Sequence, residues 1–565
     1  MSAGESSAIT SIHAARLAVA ALAAGGVRDV VVAPGSRSAP LAYALAEAES
    51  AGVLILHVRI DERAAGFTAL GLALGSERPA AVLTTSGTAV GELMPAVMEA
   101  NHAAVPLVVL SADRPGELRG TGANQTTNQV NLYGTHVRCA LDVPAGVDPT
   151  PHVARALADA RGSAHPAGPV QVNLGFRDPL VPDLEAEVTP AVRDHPARGV
   201  TSASRGDFGR GRESTTTATA NAPAGTRTVV VAGHGAGELA SVFAQHLGLP
   251  LLAEPSSNAR FGPSAIAPYR LLLDHFGGAI ERVVVFGRPT LSRPVTALLA
   301  RTDIERALYA PEPVAWFDAG RRPERLIESL DGLLEFAGHG ADGWLEEWRS
   351  AGAAAEAAIH NLLAAETAIN GLQVADAVWE HTSGNLVLGS SNPIRDVDLM
   401  AATDWHPLEV YANRGLAGID GTISTATGIG LAAGIPTRLL VGDLTFLHDA
   451  GGLLIGTGEQ QPDLQIVVLN DSGGGIFGLL EHGAPATLER YAPAVERLFG
   501  TPHMANLSAL AGAYGVGRSL VATIDELDAA LASPIQGRSV IEVKADRGAL
   551  RGLHGRVRAT VLESL

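Results

Sequence analysis

A single cysteine, Cys139, stands in 565 residues, so the chain can form no internal disulfide and no cysteine metal site, and a reducing cytoplasm is the expected setting. Also lacking is any run of roughly 18 or more uninterrupted apolar residues, the length a membrane-spanning helix needs. The opening MSAGESSAITSIHAARLAVAALAAGG comes nearest. Arg16 interrupts its apolar stripe and Ser6 or Ser7 reads as a cap, so an amphipathic first helix is expected rather than a signal peptide. Basic residues are in deficit: 41 Lys and Arg against 59 Asp and Glu give a formal charge of -18. That argues against a nucleic-acid or anionic-membrane surface, and leaves small anions held by local arginines as the charged partners to expect. Apolar residues, in contrast, make up 46% of a chain too long for one core, so two to four domains are expected.

From residue 8 to about 180, helical stripes alternate with the runs VRDVVVAP, VLILHVRI, PAAVLTTS, VPLVVLSAD and GPVQVNL. Such alternation predicts a parallel sheet wound on both faces, with polar ligand-facing loops after each run. Between Val181 and Thr228 the periodicity collapses, which predicts a linker. A second α/β segment opens TRTVVVAGHGAGELA and ends its next strand at Glu254, imitating a dinucleotide fingerprint. Its third glycine comes one residue early and Glu238 takes the usual third-glycine slot, where an acid would meet the pyrophosphate. A tight strand-to-helix turn is therefore the preferred reading. From about Gly371 the alternation restarts, with a length and rhythm like those of the first segment. An ancient duplication fits, although no residue-level repeat is visible.

The stretch Val441 to Phe477 carries the strongest local signal. Asp443 is expected to close one strand and Asn470 the next, with enough chain between them for one crossover, so both donors should reach the same carboxyl edge of one sheet. An Asp carboxylate, an Asn amide oxygen and a backbone carbonyl near Ser472 are hard oxygen ligands suited to magnesium. Gly473, Gly474 and Gly475 would let the backbone approach a diphosphate. The same residues also fit an ordinary strand-turn-helix with an aspartate cap. The pattern resembles the diphosphate-magnesium motif of thiamine-diphosphate enzymes, with Leu444 departing from the third glycine usual there. Such a cofactor needs a carboxylate from another domain to hydrogen-bond its aminopyrimidine ring. Glu62, after VLILHVRID, is placed for that role; on its own it would read as a first-turn acid complementing a helix dipole.

PGSRSAPL, DERAAGF, TTSGTAV, SADRPGEL, GANQT, NRGLAGIDGTISTATG, VGDLTFLHD and NDSGGGIF, in this order, resemble the 2-succinyl-5-enolpyruvyl-6-hydroxy-3-cyclohexene-1-carboxylate synthases, thiamine-dependent enzymes of menaquinone biosynthesis. The resemblance implies three doubly wound parallel-sheet α/β domains: pyrimidine-binding at 1–180, a linker at 181–225, a central domain at 226–360, and a diphosphate- and magnesium-binding domain at 361–565. It implies a reaction in which 2-oxoglutarate is decarboxylated on thiamine diphosphate and the succinyl carbanion equivalent adds to isochorismate. The metal would be magnesium, with manganese as an alternative, held by Asp443, Asn470 and the Ser472 carbonyl. Cofactor contacts are expected from Glu62, Ile419, Gly442, Asp443, Leu444, Asn470, Gly473, Gly474, Ile476 and Phe477. Both substrates are dicarboxylates, so arginine forks are needed. Arg37, Arg114, Arg395 and Arg414 stand at strand ends, with Ser36, Gln125 and Ser391 as hydrogen-bonding partners. Ile476, Phe477 and Leu480 match an apolar wall. Arg293 matches a central-domain contact, although Pro294 follows it where the family has a second basic residue. Glu62, Gln125, Arg395 and Arg414 are the expected catalytic set. The active site is expected between subunits of a homodimer at minimum, with a homotetramer as the family form; no nucleic acid or membrane is involved.

Overall fold

The computed structural model describes residues 9–162, 165–183, 225–318 and 321–565. Of the linker expected at 181–225, only 181–183 and 225 fall within them, and Ser6 and Ser7 fall outside. The first helix runs Ser11–Ala24 and is capped by Thr10, whose Oγ1 accepts from His13 N at 3.3 Å. This displaces the expected cap at Ser6 or Ser7, because Thr10 directly precedes the buried apolar stripe. Among the described residues no helix is long and apolar enough to cross a membrane.

Three parallel sheets follow in chain order. The first holds β1 (Asp29–Val32), β2 (Ile55–Val58), β3 (Ala80–Thr84), β4 (Leu107–Asp113), β5 (Ala140–Val143) and β6 (Val170–Gly175). The central sheet holds β7 (Thr228–Ala232), β8 (Leu251–Ala253), β9 (Arg282–Phe286), β10 (Glu305–Tyr309) and β11 (Arg325–Ile327). The third holds β12 (Asn385–Leu388), β13 (Glu409–Tyr411), β14 (Thr437–Gly442), β15 (Leu464–Asn470), β16 (Gly517–Val521) and β17 (Arg538–Lys544). Central strands such as β3, β4 and β15 are buried at every residue, as strands covered by helices on both faces must be.

The first and third sheets share one strand order, β2-β1-β3-β4-β6-β5 and β13-β12-β14-β15-β17-β16. The helix after β2 (Glu62–Ser76) and the helix after β13 (Thr422–Ala433) are thus counterparts, and they pack on each other. Their crossing supplies the residue-level repeat that the sequence did not disclose: Thr68-Ala69-Leu70-Gly71 meets Thr425-Ala426-Thr427-Gly428. A Cβ on Gly71 would lie 2.1 Å from Thr425 O, and one on Gly428 would lie 2.2 Å from Thr68 O. Each threonine also bonds back one turn, Thr68 Oγ1 to Ala64 O at 2.8 Å and Thr425 Oγ1 to Gly421 O at 2.9 Å. Only glycine permits backbones this close.

The central and third sheets share a continuous core. Val229, Val283, Trp348, Leu440, Val467 and Val557 belong to one cluster, which the helices Trp344–Ala364 and Leu550–Ser564 help to close. Arg260 is 2% exposed and ties the two units together, donating to Ala253 O, Ala267 O and Ala401 O.

Candidate active site

β14 ends at Gly442, so Asp443 opens the following helix, Asp443–His448, rather than closing the strand. Its carboxylate is 2% exposed. Oδ1 accepts from Leu444 N at 2.6 Å and Oδ2 accepts from Gly473 N at 2.8 Å. Asn470, the last residue of the adjacent β15, accepts from Ser472 N at 3.0 Å through Oδ1. Its Nδ2 donates to Glu542 Oε1 at 2.7 Å, which fixes which amide atom faces the turn. Ser472 takes left-handed backbone, φ 61. Asp443, at the start of its helix, is therefore bonded to the turn that carries Asn470 and Ser472, and the donor set fits a hard cation: all three contribute oxygen. Burial pushes the Asp443 carboxyl above its ordinary range, and burial together with the Asp443 charge pushes Asp471 up to about 7. A divalent cation would relieve both.

Neighbouring groups here had no sequence signal. His503 Nε2 lies 3.0 Å from Asp443 Oδ2. Gly474 N donates to Gly500 O at 2.8 Å, and a Cβ on Gly473 would lie 2.3 Å from that same oxygen. In this chain the glycines admit the backbone of residues 499–500. Ile476, Phe477 and Leu480 are half-buried, and the Phe477 ring lies 5.5 Å from that of Phe499. Arg293 is exposed and pairs with Glu481 at 2.6 Å, one residue beyond Leu480. It reaches this wall with its charge already partnered.

The first sheet gathers a second group at its carboxyl edge. Arg114 follows β4, is 8% exposed, and donates through Nη1 to Ser86 Oγ and, at 2.7 Å, to Gln125 O. Gln125 takes φ 53, and its Nε2 donates to Ser86 O at 2.9 Å. Arg37 donates to Phe176 O at 3.0 Å, and its buried Nε has no partner among the described residues. Burial first, then the charge of Arg37, lowers the Arg114 pKa, so the two guanidiniums sense each other. Ser36 lies exposed in the loop beside them.

Arg395 and Arg414 form the matching group on the third sheet. Arg395 Nη1 donates to Ser391 O, and Ser391 is left-handed at φ 79. Arg414 follows β13 and is 4% exposed. Burial and the Arg414 charge lower the Arg395 pKa, and Asp396 next to it feels Asp471 of the Asp443 turn. Arg414 is held by Thr290 of the central domain, at 2.8 Å from Nη2 to Oγ1. Beyond it, Gly415 N and Leu416 N donate to the two carboxylate oxygens of Glu99 at 2.6 and 2.7 Å. Ala417 in this loop is left-handed, φ 59. Left-handed non-glycine backbone at Gln125, Ser391, Ala417 and Ser472 costs of the order of 1 kcal/mol or more at each position, and such strain concentrates at functional sites.

Glu62 and Ile419 occupy equivalent places, each six residues before the threonine of its repeat. Both are half-buried. Asp61 caps the Glu62 helix through Oδ1, which accepts from Ala64 N at 3.0 Å. The Glu62 carboxylate makes no hydrogen bond or ion pair to another described residue. Within one chain the neighbour is the far end of the Asp443–His448 helix, where Arg63 donates to His448 O at 2.9 Å.

Two family models match this chain: the N-terminal TPP binding domain of thiamine pyrophosphate enzymes over residues 12–132, and their C-terminal TPP binding domain over residues 399–543. The chain is 61% identical over 561 residues to a 2-succinyl-5-enolpyruvyl-6-hydroxy-3-cyclohexene-1-carboxylate synthase of Paenarthrobacter aurescens (strain TC1), covering 98% of this chain and 97% of that protein. It is 60% identical to the synthase of the same name from Arthrobacter sp. (strain FB24), covering 99% and 93%. The crystal structure of benzoylformate decarboxylase from Polynucleobacter necessarius superposes with a TM-score of 0.66 at 16% identity, covering 94% of this chain and 98% of that one, a likeness of fold alone.

Proposed function

The chain belongs to the 2-succinyl-5-enolpyruvyl-6-hydroxy-3-cyclohexene-1-carboxylate synthase family, and on that premise we propose a division of labour among its residues. It is a thiamine-diphosphate-dependent transferase of menaquinone biosynthesis that decarboxylates 2-oxoglutarate and adds the four-carbon remainder to isochorismate. Residues 1–180 bind the pyrimidine half of the cofactor, 226–360 form the central domain, and 361–565 bind its diphosphate.

Asp443, Asn470 and the Ser472 carbonyl would hold magnesium, or manganese in its place, and Gly442 and Leu444 would line the diphosphate, with Gly473 and Gly474 shaping the turn through their bonds to Asp443 and Gly500. Glu62 would supply the carboxylate that the aminopyrimidine ring requires, and Ile419 would contact the cofactor. Bound thiamine diphosphate supplies the carbon nucleophile and accepts the electron pair left by carbon dioxide. The chain's own work is to orient and to exclude water. Arg37, Arg114, Arg395 and Arg414, with Ser36, Gln125 and Ser391, fix the carboxylates of the two substrates by charge-assisted hydrogen bonds. Arg293 lies at the rim, where Glu481 competes for it. Ile476, Phe477 and Leu480 keep the reacting carboxylate dry, which favours its loss as charge disperses.

An intersubunit site is part of the same reading. The Glu62 carboxylate has no bond to another described residue of its own chain, and Leu498 and Met504, which flank the Asp443 turn, are 65% and 100% exposed. A homodimer at minimum, with a homotetramer as the larger form, would cover them. The setting we assign is the cytoplasm.

The observation that carries the substrate assignment is the pair Arg395 and Arg414 beside the Asp443 turn, two buried or half-buried cations suited to dicarboxylates. The test is an assay with thiamine diphosphate, magnesium and 2-oxoglutarate, with and without isochorismate. Carbon dioxide release coupled to adduct formation is expected. Turnover of pyruvate with no isochorismate adduct would sink the assignment.

A further inference from the structure

The glycine-rich turn after β7 is filled by the protein itself. His234 N donates to Arg288 O at 3.0 Å and Arg288 N returns a bond to His234 O at 2.9 Å, so the loop after β9 lies along the turn. Gly287 takes φ 62 there, and a Cβ on it would lie 2.6 Å from both Ala236 N and His234 O. Only glycine can stand at that position. Glu254, 1% exposed at the end of β8, caps the same loop: its Oε1 accepts from Thr290 N at 2.9 Å and Leu291 N at 2.8 Å. The acid that imitates a ribose partner is thus committed to the backbone of residues 290–291.

That loop presents Thr290 to Arg414. Thr290 Oγ1 accepts from Arg414 Nε at 3.2 Å and from Nη2 at 2.8 Å, and Thr290 O accepts from Nη2 at 3.2 Å. Nη1 makes no hydrogen bond to a described residue. Arg288 from the same loop donates to Gly415 O at 2.9 Å, bracing the next peptide. An arginine that must search its rotamers before gripping a carboxylate loses affinity; one whose guanidinium plane is already set does not.

We propose that Thr290 is a positioning residue, held by Glu254, through which the cofactor-free central domain presets Arg414 for a substrate carboxylate. The proposal rests on the reading of Arg414 as a substrate-holding residue. It gives the central domain a part in specificity without contact between Thr290 and substrate.

The test uses the holoenzyme with thiamine diphosphate and magnesium, and compares Thr290→Val, Thr290→Ser, Arg414→Gln and the Thr290→Val/Arg414→Gln double variant. Thr290→Val should raise KM for one of the two dicarboxylates about tenfold, as expected for loss of a hydrogen bond to a charged group. Turnover number and thiamine diphosphate affinity should stay within about twofold. Thr290→Ser should restore KM, and Thr290→Ala gives the same reading if valine's methyls are not accommodated. In the Arg414→Gln background Thr290→Val should add nothing, because it acts only through that guanidinium. Unchanged KM values for both substrates in Thr290→Val, or effects of the two substitutions that multiply, would overturn the inference. If Arg414→Gln leaves both KM values unchanged, Arg414 is not a substrate-holding residue, and the inference fails with the reading it rests on.

Discussion

Replacing Gly71 by alanine puts a methyl group 2.1 Å from Thr425 O, 2.9 Å from Thr425 C and 3.0 Å from Gly428 Cα. All three neighbours are backbone, so no side chain can swing away, and the helices must part by roughly 1 Å or more along the crossing. Overpacking of this kind costs about 1–3 kcal/mol, with the upper end expected against rigid backbone. Alanine's better helix propensity returns about 1 kcal/mol at most. The net loss, about 1–2 kcal/mol, corresponds to a fall in Tm of about 2–8 °C for a domain-sized unfolding unit. Gly428→Ala should behave alike, since its Cβ meets Thr68 O at 2.2 Å. Gly91→Ala, with nothing within 4 Å and an exposed position, is the control and should not lower Tm. The two helices carry Glu62 and follow Ile419, so parting them should also reduce kcat by about tenfold or more, as displacements near 1 Å do. Thermal melts and initial rates on the three variants decide the matter. If Gly71→Ala and Gly428→Ala melt with Gly91→Ala, the backbones do not approach as described.

Glu62→Gln should bind thiamine diphosphate with nearly unchanged affinity by calorimetry while losing about 100-fold or more in turnover; wild-type turnover would remove Glu62 from its role. Asp443→Asn removes the only carboxylate of the proposed ligand set, and magnesium-dependent cofactor affinity should fall about tenfold or more. Equal affinity with and without magnesium in the wild type would refute that site. Burial pushes Glu254 up to about 7 from an ordinary 4.5. The native chain therefore holds a proton that the unfolded chain releases, and this contribution to stability falls as pH rises from about 4.5 through about 7. Glu254→Gln keeps an acceptor oxygen but cannot ionise. Its Tm relative to wild type should be higher at pH 8 than at pH 5.5, and an identical difference at both pH values would contradict the assignment.

Strands with buried β-branched runs were legible in the sequence, because a parallel sheet covered on both faces leaves no polar alternation to confuse them. β16 was not: four of its five residues are exposed, and Gly517-Arg518-Ser519 carries no apolar signal. β11, three residues at a sheet edge, failed for the same reason. Asp443, Asn470, Arg395 and Arg414 could be nominated because each follows or ends a strand-like run, where α/β ligands gather. Glu99, Thr290 and His503 could not. They act through a backbone N–H, a guanidinium and a carboxylate more than 50 residues away in sequence, and only the folded chain brings these pairs together.

The cluster shared by the central and third sheets bears on how the protein is made. Leu553, Val557 and Val561 of the last helix close it, in one core with Trp348 and Ile359 of the helix Trp344–Ala364, against which that last helix packs. The first sheet can bury one of its two cores during synthesis, while the other waits for Leu431 of the helix Thr422–Ala433. The face of the helix Trp344–Ala364 that the helix Leu550–Ser564 covers, although formed much earlier, stays open until that later helix emerges from the ribosome. Nascent chains stalled before that point should therefore engage chaperones through the central segment, and a truncation that removes only the last helix should aggregate rather than yield a smaller soluble protein.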